Sequence, residues 1–316
     1  MAGRPASPGR LDAAGIGVAV RDLTVALAEF PSPDTKVRAQ AFAESGGGPV
    51  PTALVTMARL GDRAAFAGVV GHDAAGAFLL EDLRREGVDV RGVAVRGGLS
   101  SPTSVILVEK DGRRTVCEWR QDDLPLAPSD LAPFEPALER CRLLLVDARL
   151  PDAQIDAARR VRARGAIVMI DCGHPRPGVE ALLPLCDVAV LSQSYPRSLL
   201  GTGFDPRAFV EEMSRSLAAE GLRIAGLTLG PEGCLISAAG GAPVRIEGIR
   251  IQAVDTTGAG DVFHGALAHA LLGGADSIDA ARFANAAAAA KCLGLTGRAP
   301  LPPDAEIRRL AGLPSL

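Results

Sequence analysis

The stretch Asp255-Thr-Thr-Gly-Ala-Gly-Asp261, which leads directly into the apolar run Val262-Phe-His-Gly-Ala-Leu-Ala-His-Ala-Leu-Leu272, is the most informative part of this sequence. A Gly-rich turn that opens a helix presents several backbone N–H groups at the helix N-terminus, which is a ready site for an anion. Gly258 and Gly260 allow the backbone to approach a phosphate closely. A carboxylate at Asp261 fits beside a phosphate if it accepts the proton of an attacking hydroxyl. The alternative is an ordinary acidic residue in the first turn of a helix.

The composition indicates a globular protein with ample length for a large core. The chain has 316 residues, of which 47% are hydrophobic and 22% charged. A formal net charge of −3 and the lack of a basic run argue against nucleic acid or an anionic membrane as a partner. None of the six cysteines forms a CxxC pair, so we predict buried thiols in a reducing, cytoplasmic compartment. No apolar stretch reaches the roughly 20 residues of a membrane span.

Apolar runs alternate with amphipathic helical patterns, which is typical of a parallel sheet with helices on both faces. We expect a disordered leader over residues 1–14 and a single α/β domain over 15–316. The predicted strands lie at 15–20, 64–70, 143–147, 166–171, 188–191 and 224–229, and the predicted helices at about 48–60, 74–86, 152–164, 206–220, 261–272 and 277–291. Asp147 and Asp171 end two of these strands, at the sheet edge where ligands bind in open α/β folds.

Two segments carry no helical period, namely about 22–45 and about 97–121. They alternate polar and apolar residues and contain turn signals such as Lys110-Asp-Gly112. We predict that they form antiparallel strands outside the main sheet, which pair into a small β-sheet lid over the site.

The segment from Asp255 to Leu272 resembles the C-terminal signature of the ribokinase-like (PfkB) sugar kinases. Two further motifs support the resemblance: the stretch from Gly46 through Gly76, which begins Gly-Gly-Gly-Pro, and the turn Thr228-Leu-Gly-Pro-Glu-Gly233. Three such motifs in the right order are far more specific than one short glycine motif. The resemblance implies a three-layer α/β/α core with a mostly parallel sheet, and ATP-dependent phosphorylation of a sugar hydroxymethyl group with Mg²⁺.

The resemblance also implies roles for individual residues. Asp261 would be the catalytic base, and the N–H groups of Gly258, Ala259 and Gly260 would hold the transferred phosphoryl group. The residues implied to bind the sugar are Asp22, Gly47, Gly48, Thr52, Arg149 and Lys36. Those implied to bind the nucleotide are Thr228, Gly230, Gly233 and Asn285. Simpler explanations stay open for some of them: a turn residue for Asp22, a surface ion pair for Arg149, and solvent exposure for Lys36 and Asn285.

The metal requirements are less defined. In many relatives Asp255 and Thr257, together with the loop that contains Arg298, enclose a monovalent cation through backbone carbonyls, so K⁺ is an open alternative. Many relatives also carry an Asn-x-x-Glu motif that organises the water around Mg²⁺. The matching stretch here is Ser192-Gln-Ser-Tyr195, which lacks both residues.

The motif forms are most similar to the branch that contains ketohexokinase and sulfofructose kinase. There, the Arg of an Asp-x-Arg strand end reaches the sugar or its anionic group, which makes Arg149 the candidate, with Lys36 as a lid-borne partner. Glu118 lies where a carboxylate would repel an anion. Whether the substrate is anionic therefore stays open.

Other functions remain to be separated from the sugar kinase. They are a nucleoside kinase of the same family and a non-catalytic sensor of sugar or nucleotide. A dinucleotide-dependent oxidoreductase is excluded because no strand is followed by G-x-G-x-x-G. Because the lid strands would expose apolar edges, we expect a homodimer that forms through the lid.

Overall fold

The computed structural model describes residues 11–119, 126–238 and 240–314. The strands, in chain order, are β1 Leu11–Ile16, β2 Val20–Ala26, β3 Ala41–Gly47, β4 Ala64–Gly71, β5 Asp89–Arg96, β6 Thr103–Val108, β7 Arg114–Trp119, β8 Cys141–Val146, β9 Ile167–Cys172, β10 Val188–Ser192, β11 Ile224–Thr228, β12 Cys234–Ala238 and β13 Val244–Ile246. The α-helices are α1 Pro49–Arg59, α2 Ala74–Arg85, α3 Glu135–Arg140, α4 Pro151–Arg162, α5 Val179–Leu182, α6 Ser194–Leu200, α7 Pro206–Ser216, α8 Ala259–Leu272, α9 Ser277–Lys291 and α10 Asp304–Leu310.

The larger sheet has the strand order β13-β12-β11-β10-β9-β8-β1-β4-β5. Neighbouring strands from β11 to β5 are parallel, whereas β12 and β13 join antiparallel at one edge. The carboxyl ends of the parallel strands therefore meet along one edge of the sheet, as predicted for a mostly parallel α/β core.

Helices cover both faces of this sheet because its strands are apolar on both sides. In β8, Leu143 and Leu145 pack into the core under α1, α2, α8, α9 and α10, while Leu144 and Val146 pack into the core under α3 to α7. Every residue of β4 is buried. Continuous burial of this kind is characteristic of parallel sheets. The three-layer α/β/α architecture predicted from the sequence is confirmed.

Small residues place α8 close to its neighbours. Gly265 lies against the carbonyl of Ala53 in α1, where a Cβ would have no room. The alanine-rich face of α9 packs on the other side of α8, with Ala284 and Ala287 fully buried. This close packing fixes the position of the helix that begins at the 255–261 loop.

The smaller sheet, called here the lid, has the order β3-β2-β6-β7. The outer pairs are antiparallel as predicted, whereas the central pair β2 and β6 is parallel. Thr24 and Ile106 on its inner face are buried, whereas Phe42, Val105 and Trp119 on its outer face are 64%, 39% and 56% exposed. The turn around Gly112 joins β6 to β7, as predicted. Residues 120 and 121 of the predicted lid segment lie outside the described residues.

Some boundaries and elements differ from the sequence prediction. Strand β1 begins at Leu11, which pairs with Cys141, so the predicted leader ends before this strand and not at residue 14. Residues 1–10 lie outside the described part of the chain. Strands β5, β12 and β13 were not predicted. Strands β5 and β13 lie at the two edges of the sheet, where burial is incomplete. Strand β12 lies inside β13 and is buried over four of its five residues. All six cysteines are free thiols, with Cys117 exposed and the others buried. In the described ranges, no helix is long and apolar enough to cross a membrane.

Candidate active site

The loop from Asp255 to Asp261, called here the anion loop, is fixed by a buried carboxylate. Asp255 is fully buried, and its two side-chain oxygens accept hydrogen bonds from the N–H groups of Thr257 at 2.8 Å and Thr296 at 2.9 Å. Gly258 precedes α8 with φ 71°, and a Cβ there would lie 2.5 Å from the carbonyl oxygen of Gly297. Only glycine combines this backbone conformation with this close approach. The N-terminus of α8 is thereby held open toward the carboxyl edge of the sheet.

Asp261 lies in the first turn of α8 and is partly buried. Burial raises the pKa of its carboxyl to about 6, and the charge of Asp171 adds to the shift, while His264, Arg114 and Arg149 oppose it. A carboxylate with this pKa is ionised at neutral pH and is a better proton acceptor than an ordinary aspartate.

His264 connects α8 to the sheet. Its ring nitrogens lie 2.8 Å from the carbonyl oxygen of Gly260 and 2.7 Å from that of Val190 in β10. Its Nδ1 also lies 3.2 Å from Oδ2 of Asp171, at the end of β9. The sequence analysis gave no role to this histidine. Its spacing from Asp261, one turn along the same helix, was the available signal.

A row of four polar residues crosses the inner face of the lid. Strand register places Ser45, Asp22, Ser104 and Glu118 side by side on β3, β2, β6 and β7. Asp22 is only 6% exposed. Burial raises the pKa of Asp22 to about 7; Arg298 opposes the shift, and Asp261 and Asp255 add to it. Asp22 is therefore a buried residue of strand β2 and not an exposed turn residue, while its contact with a sugar stays a prediction.

Gly47, the last residue of β3, and Gly48, which precedes α1, are called here the lid hinge, and both must be glycine for steric reasons. Gly48 has φ 94°, and a Cβ at Gly48 would overlap the carbonyl of Val18. A Cβ at Gly47 would overlap the carboxylate of Asp22. Gly47 and Gly48 thus bring the lid close to the end of β1, with the Asp22 carboxylate between them and the cleft.

The side chain of Arg298 is more important than the sequence analysis suggested. We expected this residue to contribute backbone to a cation loop, with little meaning in its side chain. Instead, its guanidinium is buried and lies 2.5 Å from Oδ2 of Asp82 in α2. It also donates to the hydroxyl of Thr52 at 3.3 Å and to the carbonyl of Gly47 at 3.4 Å. The hydroxyl of Thr52 therefore accepts a hydrogen bond from Arg298, and the sugar contact that the resemblance implied for it stays a prediction.

Arg149 lies at the lid–core boundary. Its Nη1 is 3.3 Å from Oε1 of Glu118 on the lid, and its Nε is 4.0 Å from Oδ2 of Asp147 at the end of β8. The ion pair considered as the simpler explanation for Arg149 is present, but it crosses the cleft and leaves the Arg149 side chain only 14% exposed. Lys36, its expected partner, is exposed in the loop between β2 and β3, and its assignment to the sugar stays a prediction.

Arg114, on β7, is a further cation that the sequence analysis missed. Its Nη1 donates to Oγ1 of Thr256 at 2.8 Å, and that hydroxyl donates to the carbonyl of Gly112 in the lid turn at 3.2 Å. The lid therefore rests directly on the anion loop and brings a guanidinium close to Asp261.

The residues assigned to the nucleotide lie on the other side of the anion loop. Thr228 ends β11, and Gly230 and Gly233 adopt φ values of 63° and 89° in the turn before β12. Asn285 on α9 donates to the carbonyl of Glu247 at 2.9 Å. It lines a pocket of about 250 Å³ together with Ile246, Ile249, Ile278 and Arg282, among others. Thr228, Gly230 and Gly233 do not line this pocket, and the contact of all four residues with a nucleotide stays a prediction.

The predicted cation loop contains a fixed positive charge. Lys291 is completely buried and donates from Nζ to the carbonyl oxygen of Asp255 at 2.7 Å. A K⁺ ion held by Asp255 and Thr257 stays a prediction. Within the described ranges, no group of three or more His, Cys, Asp or Glu side chains could hold a metal ion.

Unpaired buried oxygens mark the same cleft. Among the described residues, the buried side-chain atoms without a hydrogen-bond partner are Thr24 Oγ1, Ser45 Oγ, Asp147 Oδ2, Gln154 Oε1, Asp171 Oδ2 and Thr257 Oγ1. They belong to the lid, to the carboxyl edge of the sheet with the adjoining start of α4, and to the anion loop. Buried polar atoms are normally paired. Their concentration here fits a cleft built to bind a ligand rich in hydroxyl groups.

Comparison with known proteins agrees with this geometry. The model of the pfkB family carbohydrate kinases matches residues 11–303, so the chain belongs to this family of phosphotransferases with an alcohol group as acceptor. It is 27% identical over 301 residues to the ketohexokinase of Mus musculus, covering 89% of this chain and 96% of that protein. It is 26% identical over 291 residues to a nucleoside kinase of Methanothermobacter thermautotrophicus, with 88% of each covered. The crystal structure of a putative ribokinase from Agrobacterium tumefaciens superposes with a TM-score of 0.82 at 29% identity, covering 96% of this chain and 98% of that one.

Proposed function

We propose that this protein transfers the γ-phosphoryl group of ATP to a hydroxymethyl group of a sugar, with a ketosugar as the first candidate. The observation that carries the proposal is the position of Asp261. Its carboxyl, with a pKa raised to about 6, lies at the N-terminus of α8 beneath a lid whose inner face presents a row of hydroxyl and carboxylate groups.

In this proposal Asp261 removes the proton of the sugar hydroxyl as that oxygen attacks the γ-phosphorus in line. The N–H groups of Gly258, Ala259 and Gly260 stabilise the charge on the transferred group, because they are fixed before the reaction begins. Asp22 accepts hydrogen bonds from sugar hydroxyls. Arg114, held by Thr256, adds positive charge on the lid side of the phosphoryl group.

ATP would occupy the side of the cleft bordered by Thr228, Gly230, Gly233 and Asn285. Mg²⁺ bound with the nucleotide neutralises charge on its phosphates. The lid sheet excludes water from the site, which limits hydrolysis of ATP when it is closed on a sugar.

The charges around Arg149 favour a neutral sugar. Glu118 and Asp147 lie at 3.3 Å and 4.0 Å from its guanidinium, so much of its positive charge is already compensated. An anionic group bound there would have to displace or protonate one of these carboxylates. A hydroxyl can instead donate to Glu118 and accept from Arg149 without a change in charge.

A coupled ADP-release assay with ATP and Mg²⁺ tests the proposal. We would assay fructose, ribose, sulfofructose, 2-keto-3-deoxygluconate, fructose 1-phosphate and adenosine, with the Asp261→Asn variant as the matched control for contaminating kinases. We expect turnover of a neutral sugar by the wild type and its loss in the variant. Preference for adenosine would indicate a nucleoside kinase. ATP binding without turnover of any compound would support a sensor.

The outer face of the lid supports a further part of the proposal. Phe42, Val105 and Trp119 form an exposed apolar surface on it, which a second copy of the chain would cover in a homodimer. Light scattering should give twice the chain mass, and Val105→Asp should give the mass of one chain. A monomeric wild type would contradict the dimer. We also propose that the protein is cytoplasmic, which fractionation of the source cells would test.

A further inference from the structure

Arg298 lies at the junction of three segments that are far apart in sequence. Its Nη1 is 2.5 Å from Oδ2 of Asp82 in α2, and its Nη2 donates to the carbonyl of Gly47 in the lid hinge. Its backbone carbonyl accepts a hydrogen bond of 3.0 Å from Arg59 at the end of α1. Only 3% of its side chain is exposed. A guanidinium buried to this degree requires several fixed partners.

The glycines of the hinge make room for this arrangement. A Cβ at Gly46 would overlap both the Arg298 guanidinium and the Asp82 carboxylate, whereas a Cβ at Gly47 would overlap Asp22 on the opposite side of the strand. Successive residues of a strand face opposite sides. The strand β3 therefore passes between two charged groups, with Asp22 on the cleft side and the Arg298–Asp82 ion pair behind it.

The segment that carries Arg298 is also bound to the anion loop. The N–H of Thr296 donates to Oδ2 of Asp255 at 2.9 Å, and Gly297 packs against Gly258 at the start of α8. Three consecutive residues, 296 to 298, therefore contact the phosphoryl side of the cleft at one end and the lid hinge at the other.

The charges around Asp22 make this connection chemically important. Its carboxylate is buried, and the charged groups that act on it are Arg298, Asp261 and Asp255. Arg298 is the cation among these, and it favours the ionised form of Asp22, whereas the two carboxylates oppose it. Arg298 is itself acted on by Asp82, Asp22, Glu86 and Arg59. The buried guanidinium of Arg298 thus interacts with two buried carboxylates: it forms an ion pair with Asp82 behind the hinge, and its charge acts on Asp22 in the cleft.

We infer that Arg298 is a positioning residue for the sugar: its guanidinium fixes the lid hinge relative to the anion loop and places a positive charge behind the hinge from Asp22, so that Asp22 can accept hydrogen bonds from two sugar hydroxyls. The inference rests on the proposed sugar kinase activity. It assigns the loop after α9 a role in sugar binding through the side chain of Arg298, in addition to its contacts with the anion loop.

The test separates charge from geometry. Arg298→Met alone leaves Asp82 buried without its partner and risks misfolding, so the informative variant is the double substitution Arg298→Met with Asp82→Asn. Arg298→Lys retains the charge but not the planar fork that reaches both Asp82 and Gly47. Arg85→Gln is the matched control, because Arg85 contacts Oδ1 of the same Asp82 from a largely exposed position. Thermal unfolding first establishes that each variant is folded.

The readout is the pH profile of kcat/KM for fructose or ribose, whichever the wild type phosphorylates faster. For the double variant we expect the acidic limb to move to higher pH by about one unit, since a lost neighbouring cation raises a carboxyl pKa by about that much. We also expect the sugar KM to rise ~10-fold, with the ATP KM changed less than about twofold. Arg298→Lys should raise the sugar KM but leave the acidic limb of the kcat/KM profile at its wild-type pH. Arg85→Gln should change neither the sugar KM nor the acidic limb.

The outcomes separate the role of Arg298 from the kinase activity itself. A folded double variant with the wild-type limb and wild-type sugar KM would overturn the role of Arg298 and leave the kinase intact. An equal loss of affinity for ATP and sugar would also overturn it, because it would indicate a general loss of structure. Silence of the wild type on every sugar would contradict the proposed function, and the inference with it.

Discussion

The anion loop and the sugar side of the cleft differ in how many segments of the chain they need. The anion loop is seven consecutive residues, from Asp255 to Asp261, and its last three residues form the start of α8. The sugar side brings together Asp22, Gly47, Asp82 and Arg298, and its two long contacts join residues 216 and 251 positions apart. The first is a local motif. The second exists only after the lid has closed onto the core.

This difference suggests a division of labour. A local loop at a helix N-terminus has its N–H groups directed by the helix itself, so its chemistry can be the same in proteins with different substrates. A surface assembled from distant segments can change one contact at a time, which suits substrate selection. Substitutions on the two sides should therefore separate kcat from the sugar KM.

The largest effect is expected from Asp261→Asn. The amide cannot accept the hydroxyl proton, so kcat should fall by about 10²–10⁴-fold. The affinity for ATP, measured by calorimetric titration, should rise or stay unchanged, because a negative charge near the phosphates is removed. Turnover within tenfold of the wild type would show that Asp261 is not the base.

Two alanine substitutions sharpen the comparison. Gly258→Ala forces a Cβ to 2.5 Å from the carbonyl of Gly297 at φ 71°, so it should distort the anion loop and lower kcat by roughly 100-fold.

Gly47→Ala displaces the Asp22 carboxylate and should raise the sugar KM by roughly 10-fold, with a smaller change in kcat. Steady-state kinetics measure both, with Gly97→Ala as the control, since no atom lies within 4 Å of that Cβ. If both variants changed the same parameter, the division of labour would be refuted.

The pH dependence tests the two carboxyls separately. Both Asp22, with a pKa of about 7, and Asp261, with a pKa of about 6, act in their ionised forms, so kcat/KM should fall as the pH decreases through 7. Asp22→Asn removes the group with the higher pKa. The acidic limb of kcat/KM in this variant should therefore move to lower pH, near 6, where Asp261 titrates. An unchanged limb in this variant would assign it to another group.

The smallest effect is expected far from the cleft, at the other end of α8. His269 lies 2.7 Å from Asp62 and 3.3 Å from Asp304. Burial alone would lower the pKa of His269, but these two carboxylates outweigh it and raise the pKa above its ordinary value. Protonated His269 therefore contributes its full stabilisation of the folded state below the pKa of unfolded histidine, about 6.5. This contribution is lost as the pH rises through the pKa of His269 in the folded protein.

Urea unfolding checks this expectation at pH 6 and pH 8. The free energy of unfolding lost on His269→Gln should be larger at pH 6 than at pH 8. Substitution of the exposed His72 by Gln serves as the control. A loss that is equal at both pH values would show that the two carboxylates do not bind the charged form of His269.

The parallel core could be predicted from the sequence because its signals are local. The apolar runs of β4, β8 and β9 are continuous, and the glycines of the anion loop stand beside the helix that they serve. The edge strands β5 and β13 could not be predicted, since half-buried edge strands have a weaker pattern. Strand β12 is a short buried run, which periodicity alone does not distinguish from a segment of buried helix. Leu11 was assigned to a leader because its pairing with Cys141 lies 130 residues away.

The site was predicted unevenly for the same reason. Asp261, Asp22 and the hinge glycines lie along one cleft in the structure, but they were selected through resemblance to a known family more than through physical pattern, and their roles stay predictions. Arg114 and His264 were missed, and Arg298 was given no side-chain role. Each of these three acts through contacts with segments distant in the chain, such as Thr256 and Val190. Apart from the spacing of His264 from Asp261 along α8, a single sequence contains no local signal for these residues.

By itself, the sequence determined the alternation of strands and helices, the anion loop and the position of Asp261 at the start of α8, because each depends on neighbouring residues and on backbone geometry. The tertiary structure alone decided which charges meet: the lid carries Arg114 to Thr256 and Glu118 to Arg149, and the loop after α9 carries Arg298 to Asp82 and the hinge. The physical reason is that burial sets the strength of a charge interaction, and burial is a property of the packed chain.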